Sequence, residues 1–512
     1  MTSRVLGLVR EQVMAYLFGA GNAVDAFNVA FRIPNLVRDL FAEGAMSAAF
    51  VPTFTRYLTK DGRAPALRLG SQVLNALLVV TLALVILGVV FAEPLVWLLA
   101  SDYAQVPGKF ELTVALTRVM LPFLTLVALA AACMGMLNSL DRYFVPALAP
   151  ALFNVASISV TLVAVPALMW FGWPAIYAMA YGVIAGGLAQ LLVQVPTLRR
   201  EGYRHQFVLD TSEPGLRQIL LLMGPGTLGL AATQVNVFVN TWLATGEGTG
   251  AVSWLGYAFR LMYLPLGIFG VSIATASLPL IARRAASKDL AGMRDSVSSG
   301  LAMMLTLNVP ATIGLIVLAH PIVALLFERG QFTANDTAAT AGALMAYAIG
   351  LTGYSVVKIA SPTFYALGQS RTPVLVSVLS VLTNAALNLL LVREYGYQGL
   401  ALGTSVTALL NAGLLLLLLR RQLGGLGLGH LTTVLARVMA ASAVMGAVAW
   451  GADRQLALWI PGSSLVIQVV RVALTISTSL AVLALALHLL RVREFTDVVG
   501  AVAARVRRGR AR

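Results

Sequence analysis

The sequence predicts an all-α polytopic membrane protein with fourteen transmembrane helices, arranged as two six-helix pseudo-repeats followed by two extra C-terminal helices. Hydrophobic residues make up 59% of the 512 residues and charged residues only 11%, whereas soluble globular proteins carry about 25% charged residues. The mean hydropathy is +0.84. Apolar segments of about 17 to 25 residues, which is long enough to cross a bilayer, recur along the whole chain.

The apolar segments give the order of the predicted helices. The spans are 3–20, 24–57, 70–92, 111–138, 146–171, 174–198, 216–244, 251–282, 298–327, 338–366, 373–393, 397–419, 431–452 and 463–490. The second is overlong and contains Pro34, which removes a backbone donor and is expected to kink the helix. The first lacks a charged leader followed by a cleavage site, so it is predicted to be a span and not a signal peptide.

The chain repeats itself at an offset of 227 to 229 residues. The matching segments are 44–62 with 270–289, 30–32 with 258–260, and 140–146 with 367–373. An even number of helices in each repeat leaves the two halves in the same orientation. Parallel repeats of this kind place a substrate site at their interface and move by rocking one half against the other.

The repeat also predicts how the chain is organised. The expected parts are an N-lobe of helices 1–6 (1–198), a cytoplasmic linker (199–217), a C-lobe of helices 7–12 (218–422), helices 13–14 (423–492) and a basic cytoplasmic tail (493–512).

The net charge of +15 is distributed unevenly between the loops. Basic residues cluster after the even-numbered spans, at 56–68, 142, 199–204, 283–294, 371 and 420–421, and in the tail. The alternate loops hold only Lys109, Arg329, Arg393 and Arg454. The positive-inside rule therefore predicts that both termini are cytoplasmic. The basic tail is predicted to bind anionic membrane lipids, and nucleic acid is the less favoured alternative.

Five ionisable residues fall within the second span. They are Asp25, Arg32, Arg38, Asp39 and Glu43. Charges at that depth cost about 3 kcal/mol or more each and usually mark a transport path. At about 100° per residue, all of them except Arg38 return to one face of the helix. The alternative is that they form internal salt bridges that only hold helices together.

Arginines dominate the predicted membrane midplane. They are Arg4, Arg10, Arg32, Arg38 and Arg260, on the first, second and eighth spans. The planar guanidinium fork suits phosphate oxygens better than lysine does, so the predicted ligand is a phosphorylated anion.

Catalytic and cofactor motifs find little support in the sequence. GPGTLG at 224–229 lies inside an apolar run without a preceding strand, and no Gly-x-x-x-x-Gly-Lys-[Ser/Thr] loop occurs. The four histidines lack metal-ligand spacing. Asp39 and Glu43 form a possible acid pair, but a charge-balanced cavity is favoured over acid–base catalysis. We therefore expect a protein that is not an enzyme and needs no cofactor.

Several motifs resemble a known family of transporters. They are SRVLG (3–7), DAF with AF-x-IPN-x-x-R-x-LFAEGA (25–45), AFVP (49–52), MLN-x-x-x-R-[FY]-x-x-PA-x-AP (136–150), RLM (260–262) and F-x-x-G-x-FTA (327–334). Through them the chain resembles the lipid II flippases (MurJ/MviN) of the multidrug/oligosaccharidyl-lipid/polysaccharide exporter superfamily. The resemblance implies movement of the undecaprenyl-diphosphate-linked peptidoglycan precursor, lipid II, from the inner to the outer leaflet of the bacterial cytoplasmic membrane by alternating access. It also implies a role in cell-wall biogenesis and cell shape.

The resemblance also assigns roles to residues of this chain. It implies substrate-binding positions at Arg4, Arg10, Arg38, Arg260, Asp25, Glu43, Ser3 and Ser253, to which the pattern of charges adds Arg32. It implies that the last two helices, at about 431–452 and 463–490, form a groove for the lipid tail. Membrane lipids and cell-wall synthesis proteins are the other partners it suggests.

Some members of the family carry a sodium site built from acids. The matching positions here are neutral: Asn240, Asn384, Asn388 and Thr404. They are weak candidates for a metal site, and sodium coupling is unsupported. The alternative functions are export of another polyprenyl-diphosphate-linked saccharide and drug or ion antiport. An antiporter would predict a cavity dominated by acids, and a polyprenyl-phosphate enzyme would predict a cytoplasmic acid cluster for a metal.

Overall fold

Lipid offers the backbone no hydrogen-bond partner, so the apolar segments of this chain must satisfy their own N–H and C=O groups. The computed structural model describes residues 2–39, 49–208, 210, 212–462 and 464–496, and every regular element among them is a helix. The predicted all-α membrane fold is thereby confirmed.

The chain divides into two compact units. Unit 1 comprises Met1–Ser253 and Arg329–Phe332, and unit 2 comprises Trp254–Glu328 and Thr333–Arg512. The helices of unit 1 are α1 (Thr2–Phe18), α2 (Asn22–Arg38), α3 (Val51–Lys60), α4 (Arg63–Val90), α5 (Ala92–Ala100), α6 (Lys109–Met120), α7 (Phe123–Ser139), α8 (Phe144–Trp170), α9 (Tyr177–Leu192), α10 (Val195–Arg200) and α11 (Pro214–Thr245). A 3₁₀-helix, Ser101–Gln105, joins α5 to α6.

Unit 2 contains the remaining helices, together with all but the first turn of α12. They are α12 (Ala251–Pro265), α13 (Val271–Ala286), α14 (Leu290–Val317), α15 (Ala319–Phe327), α16 (Ala334–Ala348), α17 (Leu351–Ala366), α18 (Arg371–Tyr395), α19 (Tyr397–Gln422), α20 (Leu428–Trp459) and α21 (Leu465–Leu489). A π-helical segment, Leu266–Gly270, connects α12 to α13.

The observed helices agree with fourteen spans. Ten described helical stretches are long and apolar enough to cross a membrane, and α16 with α17, bent by 41°, makes an eleventh. Helices α1, α2 and α11 occupy the other three predicted spans. The overlong second span is described as α2, which contains Pro34, and α3. Residues 40–48 between them lie outside the described part of the chain.

Corresponding helices of the two repeats have equal lengths at two places. Helices α4 and α14 have 28 residues each, and α5 and α15 have nine each. From Arg63 to Leu290 and from Ala92 to Ala319 the offset is 227 residues, as in the sequence repeat. Helices α20 and α21 follow the second repeat as the two extra helices.

Close helix packing in unit 1 depends on small residues. A Cβ atom on Gly182 of α9 would lie 2.8 Å from the Ser157 carbonyl oxygen of α8, and one on Gly186 would lie 2.8 Å from the Phe153 carbonyl oxygen. Glycine therefore lets these two helices approach to backbone contact, as small residues do in membrane bundles. The core of unit 2 includes side chains of α14, α17, α19 and α20, so α20 is part of that core.

The predicted linker folds back onto unit 1. Glu201 accepts hydrogen bonds from Arg63 of α4 and, at 2.6 Å, from Nε of Arg142. The Asn75 amide of α4 donates to the carbonyl oxygens of Gln206 (2.7 Å) and Val208 (2.9 Å). The beginning of the linker is thus fixed to the end of the helix bundle that carries the basic clusters.

We expect Glu201→Gln to destabilise the protein at about pH 7 and to have a smaller effect at about pH 3. Hydrogen bonds from Arg142 and then Arg63 hold the pKa of Glu201 below its usual 4.5. A depressed pKa means that the stabilisation is fully present above the unfolded value and is lost as the pH falls through the folded one. Thermal unfolding in detergent across this pH range measures the effect. Asp61→Asn, at an exposed position, is the control, and an equal loss from Glu201→Gln at both pH values would contradict the argument.

Candidate functional site

A fully buried carboxylate lies near the beginning of α2. Asp25 has no exposed surface. Its oxygens accept hydrogen bonds from Lys109 Nζ (2.9 Å), the Gly250 N–H (2.7 Å), the Ser253 N–H (3.1 Å) and Ser253 Oγ (2.6 Å). A carboxylate offers about four acceptor positions. Every one of them is therefore occupied within the protein, which leaves none for a ligand in this state.

The bonds to Asp25 explain why α12 begins where it does. The first N–H groups of a helix lack intrahelical partners, and its N-terminus favours negative charge. Gly250, with φ +94°, immediately precedes α12, and Ser253 lies in its first turn. Asp25 thus caps α12 from another helix. Asn28, one turn further along α2, donates to Ser253 Oγ at 3.3 Å. We call Asp25, Asn28, Lys109, Gly250 and Ser253 the Asp25 cluster.

The cation of the cluster comes from α6. Lys109 opens that helix with its side chain only 2% exposed, and its Nζ lies 4.0 Å from the centre of the Tyr103 ring. The sequence predicts Lys109 only as a loop charge, and the pairing with Asp25 was not predicted. The sequence did contain a clue to this pairing. A buried acid requires a cation, and Lys109 is one of the few cations in the loops that alternate with the basic ones.

The unit 1 arginines lie in different surroundings. Arg10 of α1 is largely buried, donates to Glu11 Oε1 at 3.1 Å and lies over the Phe153 ring. Arg38, at the end of α2, donates from Nε (3.0 Å) and Nη2 (2.7 Å) to one oxygen of Asp39. Its side chain keeps 34% of its surface exposed. Both guanidinium groups therefore have an adjacent carboxylate as a partner.

The remaining predicted site residues are distributed along the same helices. Arg4 on α1 and Arg32 on α2 are exposed. The Ser3 carbonyl oxygen accepts from Asn154 Nδ2 of α8 at 3.2 Å. Arg260 is exposed on α12, in unit 2, and Glu43 lies outside the described residues. The structure thus brings Asp25 and Ser253 into contact. Asp25 is buried, whereas Arg32 on the same helix is exposed.

The neutral side chains that were candidates for a metal site, Asn240, Asn384, Asn388 and Thr404, form hydrogen bonds with other amide, hydroxyl or carbonyl groups. Asn388 Nδ2 donates to Asn384 Oδ1 (3.1 Å), and Asn384 Nδ2 lies 3.4 Å from Thr407 Oγ1. Thr404 Oγ1 donates to its own helix, and Asn240 Nδ2 donates to Asn236 Oδ1 in unit 1. Among the described residues, no group of three or more His, Cys, Asp or Glu residues could hold a metal ion.

Comparison with known proteins identifies the family to which this chain is similar. The family model described as lipid II flippase MurJ matches residues 14–470. A probable lipid II flippase MurJ from Vibrio cholerae is 35% identical over 476 residues, covering 90% of this chain and 88% of that protein. The corresponding protein from Rhizobium meliloti is 37% identical over 467 residues, covering 89% and 85%.

Solved structures give the same picture of the fold. A lipid II flippase MurJ in an inward closed conformation has a TM-score of 0.78 at 25% identity, covering 95% of this chain and 97% of that one. An inward-facing multidrug resistance transporter of the MATE family has a TM-score of 0.68 at 16% identity, covering 82% and 94%. The second likeness concerns the fold alone.

We expect Asp25→Ala to lower the free energy of unfolding by about 3 to 5 kcal/mol. The substitution leaves the Lys109 ammonium buried without its opposite charge and the first N–H groups of α12 without an acceptor. The double variant Asp25→Ala/Lys109→Met should lose less stability than Asp25→Ala and Lys109→Met lose in sum, because it removes both charges together.

Thermal or denaturant unfolding in detergent measures this coupling. Asp39→Asn is the matched control, since its ion pair with Arg38 is about a third exposed and should contribute less than about 1 kcal/mol. Strictly additive losses at Asp25 and Lys109 would show that the buried pair is not coupled.

Proposed function

This chain belongs to the lipid II flippase MurJ family, and from that premise we propose that arginines on α1, α2 and α12 bind the diphosphate of lipid II during its transfer across the membrane. The protein is a lipid II flippase, a transporter and not an enzyme, with a role in peptidoglycan biosynthesis. The match to the family model over residues 14–470 is the observation that carries this function.

The contacts of Arg38 support its role as a phosphate ligand. A guanidinium group carries five N–H donors. The two hydrogen bonds to Asp39 come from Nε and one hydrogen of Nη2, and they occupy one side of the fork. Nη1 and the second Nη2 hydrogen form no hydrogen bond with the described residues. The free edge is suited to phosphate oxygens, which bind two parallel N–H groups well.

Neighbouring acids balance the charge of two of these arginines. Arg10 is paired with Glu11, and Arg38 is paired with Asp39. An arriving diphosphate, with about two negative charges, competes with these carboxylates for the same cations. We propose that the competition moderates affinity, which a transporter needs because it must release what it binds.

We propose a positioning role for Asp25 and Ser253. All acceptor positions of Asp25 are occupied, and a carboxylate does not attract a diphosphate. The Asp25 cluster instead fixes the first turn of α12, the helix that carries Arg260 two turns later. The contribution of these two residues to substrate binding would then be indirect.

The orientation and the place of the lipid tail are also proposals. The basic loops after alternate spans support cytoplasmic termini in the bacterial inner membrane. The last two helices, α20 and α21, expose apolar side chains, including Met439, Val444 and Leu480. We propose that this surface accepts the polyprenyl tail.

Complementation of a strain depleted of its own lipid II flippase tests the function directly. Restored growth with the wild-type chain is the expected result. If the chain inserts normally and fails to restore growth, the proposed function is wrong.

We expect Arg38→Ala and Arg260→Ala each to reduce lipid II flipping to background, because each removes a charge-assisted phosphate contact and leaves packing intact. Lysine at either position should restore activity only in part, since it keeps the charge and loses the fork. Flipping in reconstituted vesicles at equal inserted protein is the measurement. Arg454→Ala, which removes a guanidinium stacked on Trp450, is the control, and wild-type flipping by Arg260→Ala would refute its role.

We expect the triple variant Met439→Ala/Val444→Ala/Leu480→Ala to bind full-length lipid II several-fold more weakly and a soluble diphosphate headgroup as well as wild type. Deleting α20 would be a poor test, because its buried face belongs to the core of unit 2. Leu382→Ala/Leu390→Ala, at exposed positions of α18, is the matched control. If the triple variant loses affinity for both ligands equally, α20 and α21 only support the fold.

A further inference from the structure

Unit 1 contains a cavity that the proposed transport site does not use. Its volume is 730 Å³, within the usual range of about 300 to 1,000 Å³ for small-molecule pockets. It lies between α4, α7, α9 and α10 and is completed by the first residues of the linker. None of the arginines assigned to the diphosphate lines it.

The cavity has an apolar part and a basic part. Its walls include Leu74, Leu129, Leu191 and Val195, and the chain's only cysteine, Cys133, also lines it. At the linker the lining changes to cationic and polar side chains, namely Arg199, Tyr203, Arg204 and His205. A space with one apolar part and one cationic part fits an amphiphile with an anionic head.

The two arginines of the cavity have no acidic partner among the described residues. The acid between them in sequence, Glu201, is already bound by Arg63 and Arg142. Arg199 and Arg204 form no ion pair of their own in the described part of the chain. Their charge is therefore available to an external anion.

The cationic part of the cavity is held in place by the fold. Tyr203 is 7% exposed, and its hydroxyl contacts both Ser71 Oγ (3.2 Å) and His205 Nδ1 (2.8 Å). Asn75, which lines the cavity and is 7% exposed, holds the next residues through two backbone carbonyls. The segment that carries the arginines is thus fixed on α4 before any ligand arrives, which lowers the entropic cost of binding.

We propose that this cavity binds an anionic phospholipid, with its phosphate facing Arg199 and Arg204 and an acyl chain against the leucines of α4, α7 and α9. Guanidinium groups bind phosphate oxygens through charge-assisted hydrogen bonds. Basic residues next to a membrane helix attract anionic lipids of the cytoplasmic leaflet. The assignment of this lipid to the cytoplasmic leaflet rests on the membrane orientation proposed above. The binding site and its preference for an anionic head do not rest on that orientation.

Binding of phosphatidylglycerol and phosphatidylcholine to the full-length protein in detergent tests the proposal. The wild-type protein should bind phosphatidylglycerol at least about tenfold more tightly, and Arg199→Gln/Arg204→Gln should remove most of that difference. Arg200→Gln is the matched control, because Arg200 lies in the same segment, is exposed and does not line the cavity. It should change the affinity less than about twofold.

Two further measurements separate a lipid site from a simple phosphate site. Leu78→Trp, at a position of the lining that is 37% exposed, fills the apolar part and keeps both arginines, so it should weaken phosphatidylglycerol binding without changing the melting temperature of the lipid-free protein. Soluble glycerol 3-phosphate lacks acyl chains and should not displace the lipid at millimolar concentration.

Three results would overturn the proposal. They are equal binding of the two phospholipids by the wild-type protein, an equal loss of affinity in Arg200→Gln and in the double variant, and displacement by glycerol 3-phosphate. Because lipid binding in detergent does not require transport, these results are independent of whether the chain complements a flippase-depleted strain.

Discussion

The buried carboxylate of Asp25 is the interaction on which the arrangement of unit 1 depends. A charge removed from water is tolerated only when its attraction to nearby groups offsets the lost hydration. Here one lysine, two backbone N–H groups and one hydroxyl supply that attraction. Because the donors come from α6, from the first turn of α12 and from the residue just before it, a single side chain of α2 connects three helices. Any motion that separates α2 from the beginning of α12 must break three of these bonds.

The described charges at α2, α6 and α12 include two kinds. Asp25 and Lys109 are buried and fully engaged with each other and with neighbouring donors. Arg38 and Asp39 are paired but partly exposed, and Arg32 and Arg260 are exposed. Charges of the first kind stabilise helix positions, and charges of the second kind can exchange one partner for another. The two kinds of charge therefore differ in their physical role, one being buried and fully paired and the other remaining partly or wholly exposed.

Most of the fold could be predicted from the sequence because its determinants are local. Lipid forces apolar segments into helices, so the length of each segment predicts the helix, and the repeat predicts its counterpart 227 residues later. The partner of Asp25 could not be predicted in the same way, because Lys109 is 84 residues away and meets it only after α2 and α6 pack. The same holds for the cavity beside Cys133, whose basic part comes from a linker that the sequence showed only as a charged segment. Helical periodicity places Asp25 and Arg32 on one face of α2, but it does not show which part of that face the neighbouring helices cover. In the structure Asp25 is buried and Arg32 is exposed.

The two repeats match in the lengths of corresponding helices but not in charge. The position equivalent to Lys109, 227 residues later, is Asp336, which accepts a hydrogen bond from the Trp254 indole at 2.9 Å. The position equivalent to Asp25, 228 residues later, is Ser253, its own hydrogen-bond donor. A tandem of two first halves would set a carboxylate against Asp25, and a tandem of two second halves would lack the lysine. The two repeats thus contribute different members of the Asp25 cluster and cannot be interchanged.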